Sequence, residues 1–411
     1  MNEGATATAL KANVPLRNRI AARFVLGGLA RWRCGALTLT LPDGTVREFG
    51  DRSIAPAVTV RVKDWTFFWR ALTAGDIGVG ESYMAGEWEC SDLVEVCRCF
   101  LRDQSMIDSR SAWNLPARLW HAWLRLRRMN TLKGSRRNIE YHYDLSNDLY
   151  RLFLDESMMY SCAVFERDDA SLADAQLNKI DRICKQLALV PGMEILEIGS
   201  GWGAFAIHAA RHYGCRVTSL TLSQEQLALA RERVAAAGVA ALVDIRLCDY
   251  REMTGSFDRI VSIEMFEAVG YEYYGAYFGQ CSRLLKPDGR MFLQTIYKPD
   301  QLFDAYRRDF DWIRKHIFPG SLLASVYGIA HALKHHTAMR IEWMQDIGVH
   351  YARTLHAWRE RFMSHVPEVR QLGFDDRFIR MWEFYLASCE AAFATRYLGD
   401  AQMILAKPSV W

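Results

Sequence analysis

Apolar and polar positions alternate with a period of two over residues 35–50 (GALTLTLPDGTVREFG), and the alternation breaks at Pro42-Asp43-Gly44. Period two puts successive side chains on opposite faces of a strand, so the pattern predicts a hairpin around that turn. AVTVRVK (57–63) predicts a further strand, and residues 65–102 turn helical around a glycine-rich interruption, GDIGVGESYMAGEW. Residues 1–105 are expected to form a small α+β domain. From 140 onward, short apolar runs alternate with helical stretches. MEILEIG (193–199), CRVTSLTL, VDIRLCDY, DRIVSIEMF and GRMFLQTIY predict strands; AFAIHAARHYG and SQEQLALARERVAAAG predict helices. This alternation predicts an α/β fold, a mostly parallel sheet with helices on both faces.

A stretch of another kind lies between the two regions. Residues 109–139 hold Arg110, Arg118, Arg125, Arg127, Arg128, Lys133, Arg136 and Arg137 and no acidic residue, interleaved with Trp113, Trp120, Trp123 and several leucines. A basic amphipathic helix bearing Trp suits the surface of an anionic bilayer. The competing reading is a linker helix over 106–135 whose tryptophans pack on a neighbouring domain.

Composition narrows the classes. The chain has 411 residues, 50% hydrophobic and 24% charged, which suits two or three packed domains and excludes general disorder. Its net charge of +3 excludes a surface that attracts nucleic acid all over. The aromatic content of 12%, with 13 Trp, suits an apolar pocket or a wet/dry boundary. Ten cysteines without CxxC or Cys/His zinc spacing read as free thiols in a reducing compartment. No secretory signal and no transmembrane run is expected, so membrane contact would be peripheral, on the inner surface, from the cytoplasm. His335, His336 and His350 lack carboxylates at ligand spacing, so no metal is expected.

Chemistry first appears at the end of strand 193–199, in Glu197-Ile198-Gly199-Ser200-Gly201-Trp202-Gly203 with a helix directly after it. Glycines let the backbone approach a ligand, and the helix N-terminus offers unpaired N–H groups. The spacing is GxGxG, which departs from the dinucleotide fingerprint GxGxxG. With the acidic residue two places before, it resembles motif I of the class I S-adenosylmethionine-dependent methyltransferases. CDY (248–250) then places Asp249 where that fold sets an acid beside the adenine.

A closer resemblance runs over about 136–408. RRNIEYHYDLSNDLYRLFLDESMMYSCAVFE, LEIGSGWGAFAIHAA, TLSQEQLALARERV, SIEMFEAVGYEYYGAYF and YLASCEAAFATRYLGDAQMILAKP are similar, in order, to the cyclopropane-fatty-acyl-phospholipid synthases. The resemblance implies a catalytic domain over 136–411 that transfers a methylene unit from S-adenosylmethionine to the cis double bond of phospholipid acyl chains. It implies a carbocation, deprotonated by a bound bicarbonate ion so that the ring closes. Tyr160, Ser161, Gly199, Gly201, Thr221 and Gln226 match cofactor positions, joined by Glu197, Gly203 and Asp249 from the turn and strand ends. Glu267 matches the bicarbonate-site glutamate, Tyr351 the tyrosine there, Cys162 and Cys389 two cysteines, and Ile296 a backbone contact to the anion. Alone, the two cysteines could equally be packing residues. A possible homodimer is also implied.

Two positions depart from that pattern. Gln294 and Ala268 stand where many members have His, and a glutamine amide can donate a hydrogen bond but cannot carry a proton. A fatty-acid methyltransferase giving methyl- or methylene-branched chains without ring closure is therefore the rival reading. A lipid-binding protein without catalysis is the rival from another class. Residues 300–350, rich in aromatics (Phe303, Tyr306, Phe310, Trp312, Phe318), are expected to build an acyl pocket or lid.

Overall fold

The computed structural model describes residues 14–53, 55–102 and 146–408. The basic Trp segment and the expected linker over 106–135 lie outside the described residues, so neither reading of them is decided.

The first part runs α1 (Leu16–Leu29), β1 (Ala36–Thr40), β2 (Val46–Gly50), β3 (Ala57–Val62), α2 (Thr66–Met84), β4 (Trp88–Cys90) and α3 (Leu93–Arg102). β1 and β2 form the expected hairpin, with Thr40 opposite Val46, and Gly44 at φ 81° carries the turn. β3 keeps its alternation, burying Val58, Val60 and Val62, and lies parallel to β1 in a sheet ordered β2-β1-β3-β4. α2 is broken at Gly75, whose φ of 57° only glycine adopts readily in that combination with ψ −130°, inside the glycine-rich stretch.

The second part runs α4 (Asn147–Phe153), α5 (Leu172–Gln186), β5 (Glu194–Ile198), α6 (Ala204–Tyr213), β6 (Arg216–Thr221), α7 (Gln224–Ala236), β7 (Val243–Leu247), β8 (Phe257–Ile263), α8 (Tyr274–Leu284) and β9 (Leu285–Tyr297). It continues through α9 (Asp300–Arg308), α10 (Trp312–His316), α11 (Val326–His336), β10 (Arg340–Asp346), α12 (Gly348–Ser364), α13 (Val366–Gln371), α14 (Asp376–Ala394) and β11 (Gly399–Ala406). The seven strands are ordered β10-β11-β9-β8-β5-β6-β7. β7 through β9 pair in parallel, and β11 enters antiparallel between β9 and β10. The α/β fold class and its mostly parallel sheet are as the alternation predicts. β11 was not foreseen as a strand, because all eight of its residues are buried. A strand covered on both faces has no polar face to show a period of two.

The two parts share one continuous apolar core. Tyr83 of α2 donates a 2.7 Å hydrogen bond to Glu383 of α14. The Trp312 indole packs on Phe384 and so close to Gly80 that a Cβ there would lie 2.5 Å from it. The aromatic excess of 303–318 therefore divides. Phe303 packs on Tyr271, Trp312 on the N-terminal part, and Phe318 on Tyr160 and Tyr385.

Candidate active site

A cleft opens at the carboxyl ends of β5, β6, β7 and β8, where a doubly wound sheet leaves room for a ligand. Tyr160, Ser161, Glu197, Gly199, Gly201, Thr221, Gln226 and Asp249 all line it. Gly203 does not. It caps α6 in the left-handed region (φ 86°), and a Cβ there would rest 3.5 Å from Ala230, so it packs α6 against α7. Gly199 (φ 98°) turns the chain beneath the ligand space, where a Cβ would sit 3.1 Å from the Met265 side chain.

Local chemistry fixes the polar groups of this wall. Ser219, directly across from Glu197 on the neighbouring strand, donates to its carboxylate at 2.5 Å. Burial still pushes the Glu197 carboxyl up to about 8. Thr221 donates to the Gln226 side-chain oxygen at 2.9 Å. Asp249 is gripped through both oxygens by Arg251, at 2.8 and 2.6 Å. Tyr160 of the lining shares a 2.7 Å hydroxyl contact with Tyr385 behind it and packs on Trp358 and Phe318. The buried Lys179 of α5 donates to the Ser161 hydroxyl at 2.5 Å.

The residues expected to carry catalysis lie behind this cleft, not on it. Cys162, Glu267, Tyr351 and, from β9, Gln294 and Ile296 converge from four segments, yet none lines the open space. The side chain between them and the cleft is Glu264, which sequence reasoning missed. Its carboxylate accepts from the Cys162 N–H at 2.7 Å, the Gln294 amide at 2.7 Å and the Tyr351 hydroxyl at 2.6 Å. The fourth expected donor, the Ile296 N–H, is taken at 2.5 Å by Glu267, which also accepts from Thr295 at 2.9 Å.

These contacts bear directly on bicarbonate. The hydroxyl, the amide and the two backbone N–H groups that would hold a separate anion already serve carboxylates of the chain. A separate bicarbonate therefore does not fit the donors as they stand.

Asp400 of β11 completes the cluster, accepting from Gln294 at 3.1 Å. The Gln294 amide is oriented by Gln402, its cross-strand partner, which donates to its oxygen at 3.0 Å and leaves the NH2 for the acids. Burial, then the charges of Glu264 and Glu267, push Asp400 well above the usual carboxylate range. Burial and the Glu264 charge push Glu267 up to about 7. Burial also raises Glu264, opposed by the Lys179 ammonium and its three donors. Among the described residues, no group of His, Cys, Asp and Glu is arranged to hold a metal ion.

The thiols are neutral. Burial, with the Asp400 and Glu264 charges, raises Cys162 well above its ordinary value, so its part is to present a backbone N–H. Cys389 is not brought to the cleft. It lies one turn beyond Tyr385 on α14, its thiol pushed up to about 12 by burial.

Glu264 did leave a trace in the sequence: a lone acid among Ile263, Met265 and Phe266, as costly to bury unpaired as Glu267. Asp400 left none, because only the register of β9 with β11 brings it to Gln294.

Residues 130–403 match the family described as mycolic acid cyclopropane synthetase. The chain is 42% identical to tuberculostearic acid methyltransferase UfaA1 of Mycobacterium tuberculosis, covering 90% of this chain and 87% of that one. It is 39% identical to cyclopropane-fatty-acyl-phospholipid synthase of Escherichia coli, over 86% and 88% of the two chains. Among solved structures it resembles mycolic acid cyclopropane synthase CmaA1 complexed with SAH and CTAB, with a TM-score of 0.62 at 33% identity, covering 66% of this chain and 98% of that one.

Proposed function

Because the chain belongs to the mycolic acid cyclopropane synthetase family, and is thereby an S-adenosylmethionine-dependent methyltransferase of lipid acyl chains, we propose that it delivers a methylene unit to the cis double bond of a phospholipid acyl chain and closes a cyclopropane ring. One observation carries this reading. Tyr160 lines the methyl-donor cleft, backed by the rings of Phe318, Tyr385 and Trp358, and Glu264 of a buried acid cluster lines the same cleft.

Each wall answers a chemical need. An isolated alkene is a weak nucleophile, so most of the acceleration must come from holding it in line with the sulfonium methyl, away from water. Gly199 and Gly201 let the donor lie close on the backbone, while Glu197, Thr221, Gln226 and Asp249 offer polar groups along it. When the alkene takes the methyl, positive charge develops on the neighbouring carbon. Ring faces stabilise such a cation without capturing it. The new methyl must then lose a proton before the ring closes, and the acid cluster is the set of groups able to receive it. No step here uses a separate bicarbonate.

Access to phospholipid needs a route to the bilayer. No helix of the described residues is long and apolar enough to cross a membrane. We assign surface contact to the basic Trp segment, on its sequence pattern. The test incubates the full chain with S-adenosylmethionine and vesicles of cis-unsaturated phospholipid. We expect acyl chains heavier by one CH2 and, by proton NMR, upfield cyclopropyl signals. Absence of any methylated chain across several lipids overturns the reading; a branched or methylene product replaces ring closure while keeping methyl transfer.

A further inference from the structure

Glu264 has three properties that no side chain of purely structural role would combine. It lines the methyl-donor cleft while holding three buried donors behind it. It sits at φ 47°, the left-handed region that a branched or long side chain enters at a cost and that persists where a function holds it. And its neighbourhood is asymmetric: Asp400 is held by the Gln294 amide, Glu267 is turned away onto Thr295 and the Ile296 N–H, and the buried Lys179 opposes the effect of burial on Glu264.

We propose that Glu264 is the base of the reaction, a carboxylate fixed in the chain that takes the place of a separate anion. This rests on the function proposed above. The alkene's π pair forms a bond to the methyl carbon, and the S–CH3 bond breaks with its pair remaining on sulfur. A C–H bond of the transferred methyl then breaks. Its pair forms the second ring bond to the cationic carbon, and the proton goes to a Glu264 oxygen. The proton leaves to water once the product departs, and the carboxylate is restored.

The surrounding residues suit that cycle. Tyr351, the Cys162 N–H and Gln294 steady the anion before the proton arrives. Burial raises the carboxyl, making it a stronger base than an exposed glutamate, while Lys179 keeps it from being protonated prematurely. Gln294 is here a positioning residue: its amide aims Glu264 and carries no proton. The departure from His at position 294 and the presence of Glu264 are thus two halves of one arrangement, joined by a 2.7 Å hydrogen bond.

The experiment has three arms. Wild type is assayed with cis-unsaturated vesicles in ordinary buffer and in buffer stripped of carbon dioxide; product formation is expected to be the same in both. Glu264→Gln keeps the shape but cannot accept a proton, and should lose about 100-fold or more in product formation while binding S-adenosylhomocysteine as tightly by calorimetry. Glu264→Gly suits the left-handed backbone, so it should fold, and it vacates the carboxylate's space. Its activity should fall similarly and recover in part with added bicarbonate. Wild type that makes product only with bicarbonate present overturns the assignment of Glu264 while leaving the proposed function intact. So does a Glu264→Gln protein of wild-type rate. Wild type that makes no product in either buffer overturns the proposed function itself. Should a variant fail to fold by circular dichroism, the wild-type arm alone decides.

Discussion

The two walls of the cleft are built in opposite ways. The glycine-turn wall is local: Glu197, Gly199, Gly201, Thr221 and Gln226 come from 30 consecutive residues along two adjacent strands and their loops. Its hydrogen bonds run between neighbours such as Thr221 and Gln226, or across one strand pair, as from Ser219 to Glu197. The acid wall presents Glu264 to the cleft and is backed by distant segments, with Cys162, Gln294, Tyr351 and Asp400 meeting behind it through sheet register and helix packing. The first wall presents backbone and can bind. The second concentrates three carboxyls around one buried lysine and can move a proton. Binding here needs a turn, while proton transfer needs a tertiary structure that over-determines an unfavourable cluster.

Substitutions that separate the walls test this comparison. The largest effect is expected from Gly199→Val, which places a branched side chain at φ 98° against Met265. Calorimetry should show S-adenosylhomocysteine affinity falling by about 100-fold or more, from roughly 3 kcal/mol of strain and lost approach. Unchanged affinity would break the assignment of this wall to binding.

Tyr351→Phe acts on the other wall only. It removes one donor to the Glu264 carboxylate, a hydrogen bond to a charged group worth about 1.5–3 kcal/mol. Turnover should fall by about 10- to 100-fold with donor affinity unchanged. A matching loss of affinity would show that the walls are not separable.

The smallest effect concerns stability. Burial raises Glu197 from 4.5 to about 8, so between those values the folded chain binds more protons than the unfolded one. Stability must therefore fall as pH rises across that window. Glu197→Gln removes this contribution. The decline in Tm from pH 5 to 8 should become shallower, equivalent to about 1–3 kcal/mol, with Glu267 still contributing the same sign up to about 7. An equally steep decline in the variant would mean that Glu197 is ionised in the fold.

What could be read in advance follows the same division. The hairpin, the β/α alternation and the glycine turn all lie in short windows, where period and turn chemistry speak for themselves. Gly203 was grouped with the binding glycines because spacing alone cannot tell a backbone that meets a ligand from one that meets Ala230. Cys389 was drawn toward the site by similarity of motif, yet its helix leaves it outside the cleft lining. Trp312 was assigned to an acyl pocket, but it closes the core between the N-terminal part and α14.

The sequence by itself determined the α/β architecture, the methyl-donor turn and the family, because each is written in contiguous residues whose geometry is set by the backbone. Tertiary structure decided which group faces the cleft and which donors remain for an anion. Those depend on register: Gln402 opposite Gln294 turns an amide toward Glu264, and Asp400, two residues away on the same strand, joins the cluster. A period-two pattern cannot report such contacts when both faces of the strand are buried, since every position then looks alike.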